Sequence, residues 1–321
     1  MAVYTEVSDT DLESYLGGYD LGRLLAYKGI AEGVENSNFF VHTQAGFFIL
    51  TLYEKRVVAA DLPYFLGLME HLAGHGLACP QPVKTKSGAL LGQLAGKSAA
   101  IVTFLEGVSS RRPTTGQCAA LGGALAELHQ AGADFAGQRP NALSLDAWPR
   151  LNEQAKSGAE SVQAGLTAFI AEELAFLNAH WPQDLQRGLI HADLFPDNVL
   201  FLGESVSGLI DFYFACNDFL AYDLAVCLNA WCFEPDFSFN ITKAMAMIAA
   251  YETARRLSPE EVAALPVLAR GAALRFALTR LVDWLNVPPG ALVKPKDPLD
   301  YVKRLRFHQK VASARELGVL R

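Results

Sequence analysis

The residues best equipped for chemistry lie in one short stretch, His191-Ala192-Asp193-Leu194-Phe195-Pro196-Asp197-Asn198, of the form H-x-D-L-x-P-x-N. An apolar run flanks it on each side, and a further acid, Asp211, follows within Leu209-Ile210-Asp211-Phe212. Such a set suits phosphoryl transfer, which asks little covalent help of a protein and much positioning and charge neutralisation. Asp193 can orient an acceptor hydroxyl and take its proton. Asn198 and Asp211 offer the hard oxygen ligands that Mg²⁺ prefers. His191 has two readings, a proton-transfer group or a brace for the loop by hydrogen bonding. Asp and Asn are common in turns, and a lone H-x-D means little. The weight comes from D-x₄-N, the proline, the flanking strands and Asp211 occurring together.

Strand and helix signals around the loop show what must position it. Asp9-Thr10-Asp11 caps a short helix. Strand patterns follow over 24–30, 38–43 and 47–53, the last two joined by a turn at Ala45-Gly46. Apolar residues at helical spacing predict a helix over Leu62–Gly74, then strands over 83–85, 89–93 and 99–104. Glu106-Gly107 reads as a hinge. From Thr115 onward helices dominate: 118–129, 168–180, 222–231, 241–256, 259–264, 267–284 and 303–315. Short strands over 189–191, 199–202 and 208–210 carry the catalytic stretch, and Arg139-Pro140-Asn141 reads as a surface loop. The fold class is therefore α+β, with an N-terminal antiparallel sheet lobe holding one helix (1–105) and a larger, mainly helical C-terminal lobe (106–321).

Composition narrows the field. The chain has 321 residues, 51% of them hydrophobic, enough for a sizeable core. A net charge of −7 argues against nucleic acid or an anionic membrane as partner. The N-terminal residues lack the pattern of a secretory signal, and apolar runs such as 99–105 are too short to span a bilayer. Five cysteines without C-x-x-C spacing read as reduced thiols in a cytoplasmic protein. A monomer and a homodimer are both open.

With these residues in place, the chain resembles the aminoglycoside phosphotransferase and choline kinase superfamily, and within it the bacterial homoserine kinases of that fold. Residues 30–41 look like the family's nucleotide-covering loop, and Phe48-Ile49-Leu50-Thr51-Leu52-Tyr53-Glu54-Lys55-Arg56 like its third strand. Leu125-Ala126-Glu127-Leu128-His129 and Tyr222-Asp223-Leu224-Ala225 are similar to recurring elements on either side of the catalytic loop. The stretch 270–284 looks more like homoserine kinase than the antibiotic-modifying branch.

The resemblance implies a protein-kinase-like bilobal fold, ATP and Mg²⁺ as cofactors, and L-homoserine as acceptor. It implies nucleotide contacts from Gly33, Asn36, Ser37, Lys55, Val102, Thr103 and Leu105. One departure stands out: Thr51 occupies the position where related kinases place a phosphate-binding lysine. Lys55 shares its strand face but lies about 13 Å further on at about 3.3 Å per residue. Lys28 is another candidate.

For a zwitterionic acceptor, chemistry calls for an arginine at the carboxylate and an acid or aromatic face at the ammonium. Arg275, Arg280, Asp283, Trp284, Tyr213 and Asp218 are candidates. Arg275 and Arg280 lie about 140° apart round a helix, so the two do not share one face. Asp223 is expected to brace the catalytic loop. Other acceptors (choline, ethanolamine, a sugar or an aminoglycoside) keep the same chemistry, and a non-catalytic nucleotide-binding scaffold would need only the fold.

Overall fold

A computed structural model describes residues 5–30, 36–54, 58–287 and 295–320. The chain divides into two compact units, one of residues 1–107 with 207–213, the other of 108–206 with 214–321.

The first unit is built on a five-stranded antiparallel sheet. Its strands are Leu24–Gly29 (β1), Ser37–Thr43 (β2), Gly46–Leu52 (β3), Gly92–Leu94 (β4) and Lys97–Thr103 (β5), in the order β1-β2-β3-β5-β4. Strict alternation of burial along β2 marks a sheet with two distinct faces. One face, with Phe39, Val41, Leu50, Leu52, Ala99 and Ile101, packs on Leu12, Leu16 and Tyr19 from helix Asp9–Leu16 (α1) and the turn after it. Ser8 caps that helix by accepting from the Asp11 amide. Leu62–Gly74 (α2) follows the predicted bounds, with Pro63 in its first turn where a missing N–H costs nothing.

The predicted strand over 83–85 is not formed. Pro82 makes one isolated bridge to Val102, and the Val83 amide bonds Ile101, so this segment is a short tether of β5. The strand expected over 89–93 lies instead at Gly92–Leu94.

The second unit is mainly helical. Thr115–Ala131 (α3) begins with a reciprocal cap between Thr114 and Gln117. Trp148–Val162 (α4), absent from the sequence expectation, and Leu166–His180 (α5) follow. Arg187–Ile190 (β6) pairs antiparallel with Cys216–Phe219 (β9), a strand the sequence reading also missed. Between them run Val199–Leu202 (β7) and Ser205–Leu209 (β8). The 139–141 loop is pinned to β9, with the Arg139 amide on Asn217 and the Asn141 side chain on Asp218.

Leu220–Trp231 (α6) is buried on nearly every side, as an apolar-all-round helix must be. Ile241–Ala254 (α7), Pro259–Leu285 (α8) and Leu299–His308 (α9) complete the unit. The two helices expected over 259–264 and 267–284 are one. Pro266 sits inside α8 without ending it. By length and composition α8 could cross a membrane, but 61% of its most apolar window is buried within the fold, as in a core helix. Gly271 makes room there for the Trp181 ring, which a Cβ would meet at 2.2 Å.

Candidate active site

The H-x-D-L-x-P-x-N segment forms the connection between β6 and β7, and buried backbone contacts hold its shape. Ala192 has φ 63°, a left-handed conformation that costs a residue with a Cβ about 1 kcal/mol or more. Asp223, fully buried on α6, accepts hydrogen bonds from the His191 amide (2.7 Å) and the Ala192 amide (2.8 Å). His129 of α3 approaches the same carboxylate through Nε2 at 3.2 Å, with its Nδ1 2.8 Å from the Tyr251 hydroxyl. Burial alone would raise the Asp223 carboxyl. The His129 hydrogen bond and charge, with help from His191, hold it below the ordinary value. The expected brace is thus present.

Arg275 completes the support. It is 2% exposed, and its Nη1 donates to the Ala192 carbonyl. The guanidinium carbon lies 4.2 Å from the Phe276 ring centroid. Arg275, an acceptor candidate, places one guanidinium N–H on the loop backbone at Ala192, and its Nε is buried without a hydrogen-bond partner.

His191 is fully buried, and its Nδ1 lies 3.3 Å from the Asp193 amide. This is the bracing geometry of its two readings. Asp193 itself is partly exposed. Burial raises its carboxyl above the ordinary value, while Arg275 and His191 oppose the rise. Asn198 donates from Nδ2 to the Asp193 carbonyl (2.8 Å) and to its Oδ2 (3.3 Å). The amide oxygen Oδ1 accepts no hydrogen bond among the described residues. A hard-oxygen donor left in this state fits a divalent cation. Asp211, in the first unit, is exposed and also left-handed, at φ 66°. Of the four non-glycine residues with positive φ among the described residues, two, Ala192 and Asp211, lie in motif segments, in keeping with the habit of functional sites to retain backbone strain.

Among the nucleotide candidates, Asn36 and Ser37 are buried and committed within the first unit. The Glu54 amide donates to Asn36 Oδ1 at 3.2 Å, and Ser37 Oγ donates to Glu54 Oε1 at 2.8 Å. Lys97, which the sequence reading did not consider, pairs with Glu54 at 2.9 Å. Thr51 is 5% exposed, and its hydroxyl donates to Asn38 at 2.8 Å. Lys28 is exposed on β1. Gly33 and Lys55 fall outside the described residues. Val102 and Thr103 end β5, where the Thr103 amide bonds Gln81. Leu105, just beyond, has no backbone hydrogen bond among the described residues.

The remaining acceptor candidates separate. Tyr213 lies in the first unit, its hydroxyl 3.1 Å from that of Tyr53 and its ring edge-on to Phe65. Asp283 is exposed on α8. Arg280 is largely buried, bonds the Asp297 carbonyl at 3.2 Å and lies 3.6 Å from Asp300. Tyr301 and Arg304 of α9, beside Arg280, carried no motif by which sequence reasoning could find them.

The profile of the phosphotransferase enzyme family matches residues 26–270. A homoserine kinase of Beijerinckia indica subsp. indica is 66% identical over 321 residues, covering 100% of both chains. A homoserine kinase of Methylobacterium nodulans is 66% identical over 318 residues, covering 99% of each. The chain belongs to the homoserine kinase family of these phosphotransferase enzymes. At the level of fold, a spectinomycin phosphotransferase solved with ADP and spectinomycin superposes with a TM-score of 0.68 over 98% of both chains at 14% identity. A choline kinase of Cryptosporidium parvum superposes with a TM-score of 0.64 over 91% of this chain and 89% of its own, at 16% identity. The fold is therefore the protein-kinase-like bilobal one, and the protein is an enzyme.

Proposed function

We propose that the enzyme transfers the γ-phosphoryl group of ATP to the hydroxyl of L-homoserine, giving ADP and O-phospho-L-homoserine, a step toward threonine. The full-length 66% identity to homoserine kinases carries this reading. The intact Asp193, Asn198 and Asp211 support it chemically. A bond forms between the acceptor oxygen and the γ-phosphorus, the bond to the bridging oxygen breaks, and the hydroxyl proton passes to Asp193. The raised carboxyl of Asp193 makes it a better base than an exposed aspartate.

Asn198 and Asp211 would hold Mg²⁺. The cation supplies charge neutralisation on the phosphates. The Leu105 backbone, without a hydrogen bond among the described residues, suits an adenine edge with Val102 and Thr103 before it. Asn36 and Ser37 shape the strand that follows the 31–35 segment. Phosphate contact then falls to Gly33 and Lys55, since Thr51 is taken up by Asn38. Five cysteines, all free and buried, suit a reducing cytoplasm.

The test incubates purified enzyme with MgATP and a panel of alcohols: homoserine, choline, ethanolamine, a hexose and an aminoglycoside. Phosphorus NMR then identifies the product. O-Phosphohomoserine as the dominant product is expected, and faster phosphorylation of any other alcohol would overturn the assignment.

A further inference from the structure

Rings and cations converge beside the catalytic loop in an arrangement that none of the residues discussed so far explains. Phe195, two residues after Asp193, meets Phe276 edge-on at 4.8 Å. Phe276 meets Tyr301 at 5.1 Å, and Phe195 meets Tyr301 at 6.3 Å. This three-ring wall leads from the loop to a pair of arginines. The Arg280 and Arg304 guanidinium carbons lie 4.5 and 4.4 Å from the centroid of the same Tyr301 ring.

Two like charges held against one ring repel each other, and both are short of counter-charge. Asp300, 3.6 Å from Arg280, is the one carboxylate in ion-pair range of either among the described residues. Arg304 forms no salt bridge among them and its Nε is buried without a hydrogen-bond partner, while the hydroxyl of the fully buried Tyr301 faces the Arg304 guanidinium. Buried donors in native proteins are nearly always satisfied. A site that leaves a buried guanidinium N–H open where two guanidinium groups share one carboxylate is complementary to an anion, and the planar fork of arginine matches a carboxylate.

We propose that Arg280, Tyr301 and Arg304 form the subsite that grips the α-carboxylate of the amino-acid acceptor, placing its hydroxyl toward Asp193 along the Phe195–Phe276–Tyr301 wall. The proposal rests on the homoserine assignment and deepens it. It also moves the carboxylate grip away from Arg275, whose hydrogen bond goes to Ala192. Arg280 alone would be half a clamp. With Arg304 one turn along α9 from Tyr301, two helices contribute to it.

The experiment compares L-homoserine with 3-aminopropan-1-ol, which is homoserine without its carboxylate, at saturating MgATP. Wild-type enzyme should prefer homoserine strongly. Arg304→Gln and Arg280→Gln should each lower kcat/KM for homoserine roughly 10- to 100-fold, the range of a lost charge-assisted hydrogen bond. Both should leave the decarboxylated alcohol and the KM for ATP within about twofold. Arg304→Lys should restore part of the loss.

L-2-Aminobutyrate, which keeps the carboxylate and lacks the hydroxyl, gives a second readout that needs no turnover. Its inhibition constant should rise in both Gln variants by the same factor as the homoserine KM. Equal losses on both alcohols, or unchanged homoserine kinetics and aminobutyrate inhibition, would refute the subsite while leaving the homoserine assignment standing. A wild-type enzyme inert toward homoserine would instead overturn the assignment itself.

Discussion

Asp223→Asn asks whether the catalytic loop is held from beneath by one buried carboxylate. In the wild type that group receives the His191 and Ala192 amides at 2.7 and 2.8 Å and His129 at 3.2 Å. An amide of the same shape has one oxygen. Whichever way it is turned, its NH₂ faces a donor that previously had an acceptor. The substitution thus removes at least one charge-assisted bond, about 1.5–3 kcal/mol, and leaves a buried N–H unpaired, about 1–3 kcal/mol. We expect a loss of about 3–5 kcal/mol. At about 2–4 °C per kcal/mol for a domain of this size, the melting transition should fall by roughly 10 °C.

Activity should fall beyond what unfolding explains. Ala192 keeps its φ of 63° only while the Asp223 carboxylate holds its amide and Arg275 its carbonyl. Once the amide is released, the peptide can relax by more than the 1 Å that is enough to cost about 100-fold in rate. The assay is kcat at least 20 °C below the variant's melting point, alongside calorimetry. Unchanged kcat per folded molecule would refute the argument. The pH dependence gives a second check. The folded Asp223 carboxyl sits below its ordinary value of about 3.9. Its stabilisation is therefore complete above that pH and lost as pH falls beneath it. The stability gap between wild type and variant should persist at neutral pH and close below about pH 4.

Asp193→Asn should cut kcat by about 10²–10⁴-fold and leave melting unchanged or slightly raised. Burial makes the ionised Asp193 a cost to the fold, and that cost grows as pH rises above the unfolded pKa; a large fall in melting temperature would contradict it. His308, fully buried with Nε2 on Asn229 Oδ1 at 3.0 Å, is pushed down to about 3 by burial and by Arg304 and Arg270. The unfolded chain takes up that proton near pH 6.5 and the folded one does not, so stability should fall by about 1.4 kcal/mol per pH unit below 6.5. His308→Gln should flatten that slope in urea titrations at pH 4 to 7. Gly122→Ala should destabilise by about 1–3 kcal/mol, because its Cβ would meet the Met247 carbonyl oxygen at 2.1 Å where α3 crosses α7. Urea midpoints within error of wild type would mean that the crossing can open.

The parts legible in the sequence are those whose physics is local. The proposed catalytic loop keeps its candidate groups, Asp211 apart, within eight residues, so type and spacing single it out. Helix α2 announces itself by apolar spacing between punctuating residues. Leu265, Leu268, Ala269 and Ala272 are buried on both sides of Pro266. Packing of that kind can outweigh the cost of one interior proline, and no local rule detects it. The two candidate arginines of α8 carry the same lesson into the site. Five residues apart on one helix, they were expected to face differently, and they do. Arg275 turns inward to the Ala192 carbonyl, and Arg280 turns to Tyr301 and α9. Which of them meets an acceptor depends on what the opposing helix presents. That helix lies beyond the 288–294 segment, and its tyrosine and second arginine sit in a pattern indistinguishable by sequence from a solvated helical surface. The loop proposed to perform the chemistry can therefore be picked out from its own residues, whereas the surface proposed to select the acceptor arises only where two distant helices meet.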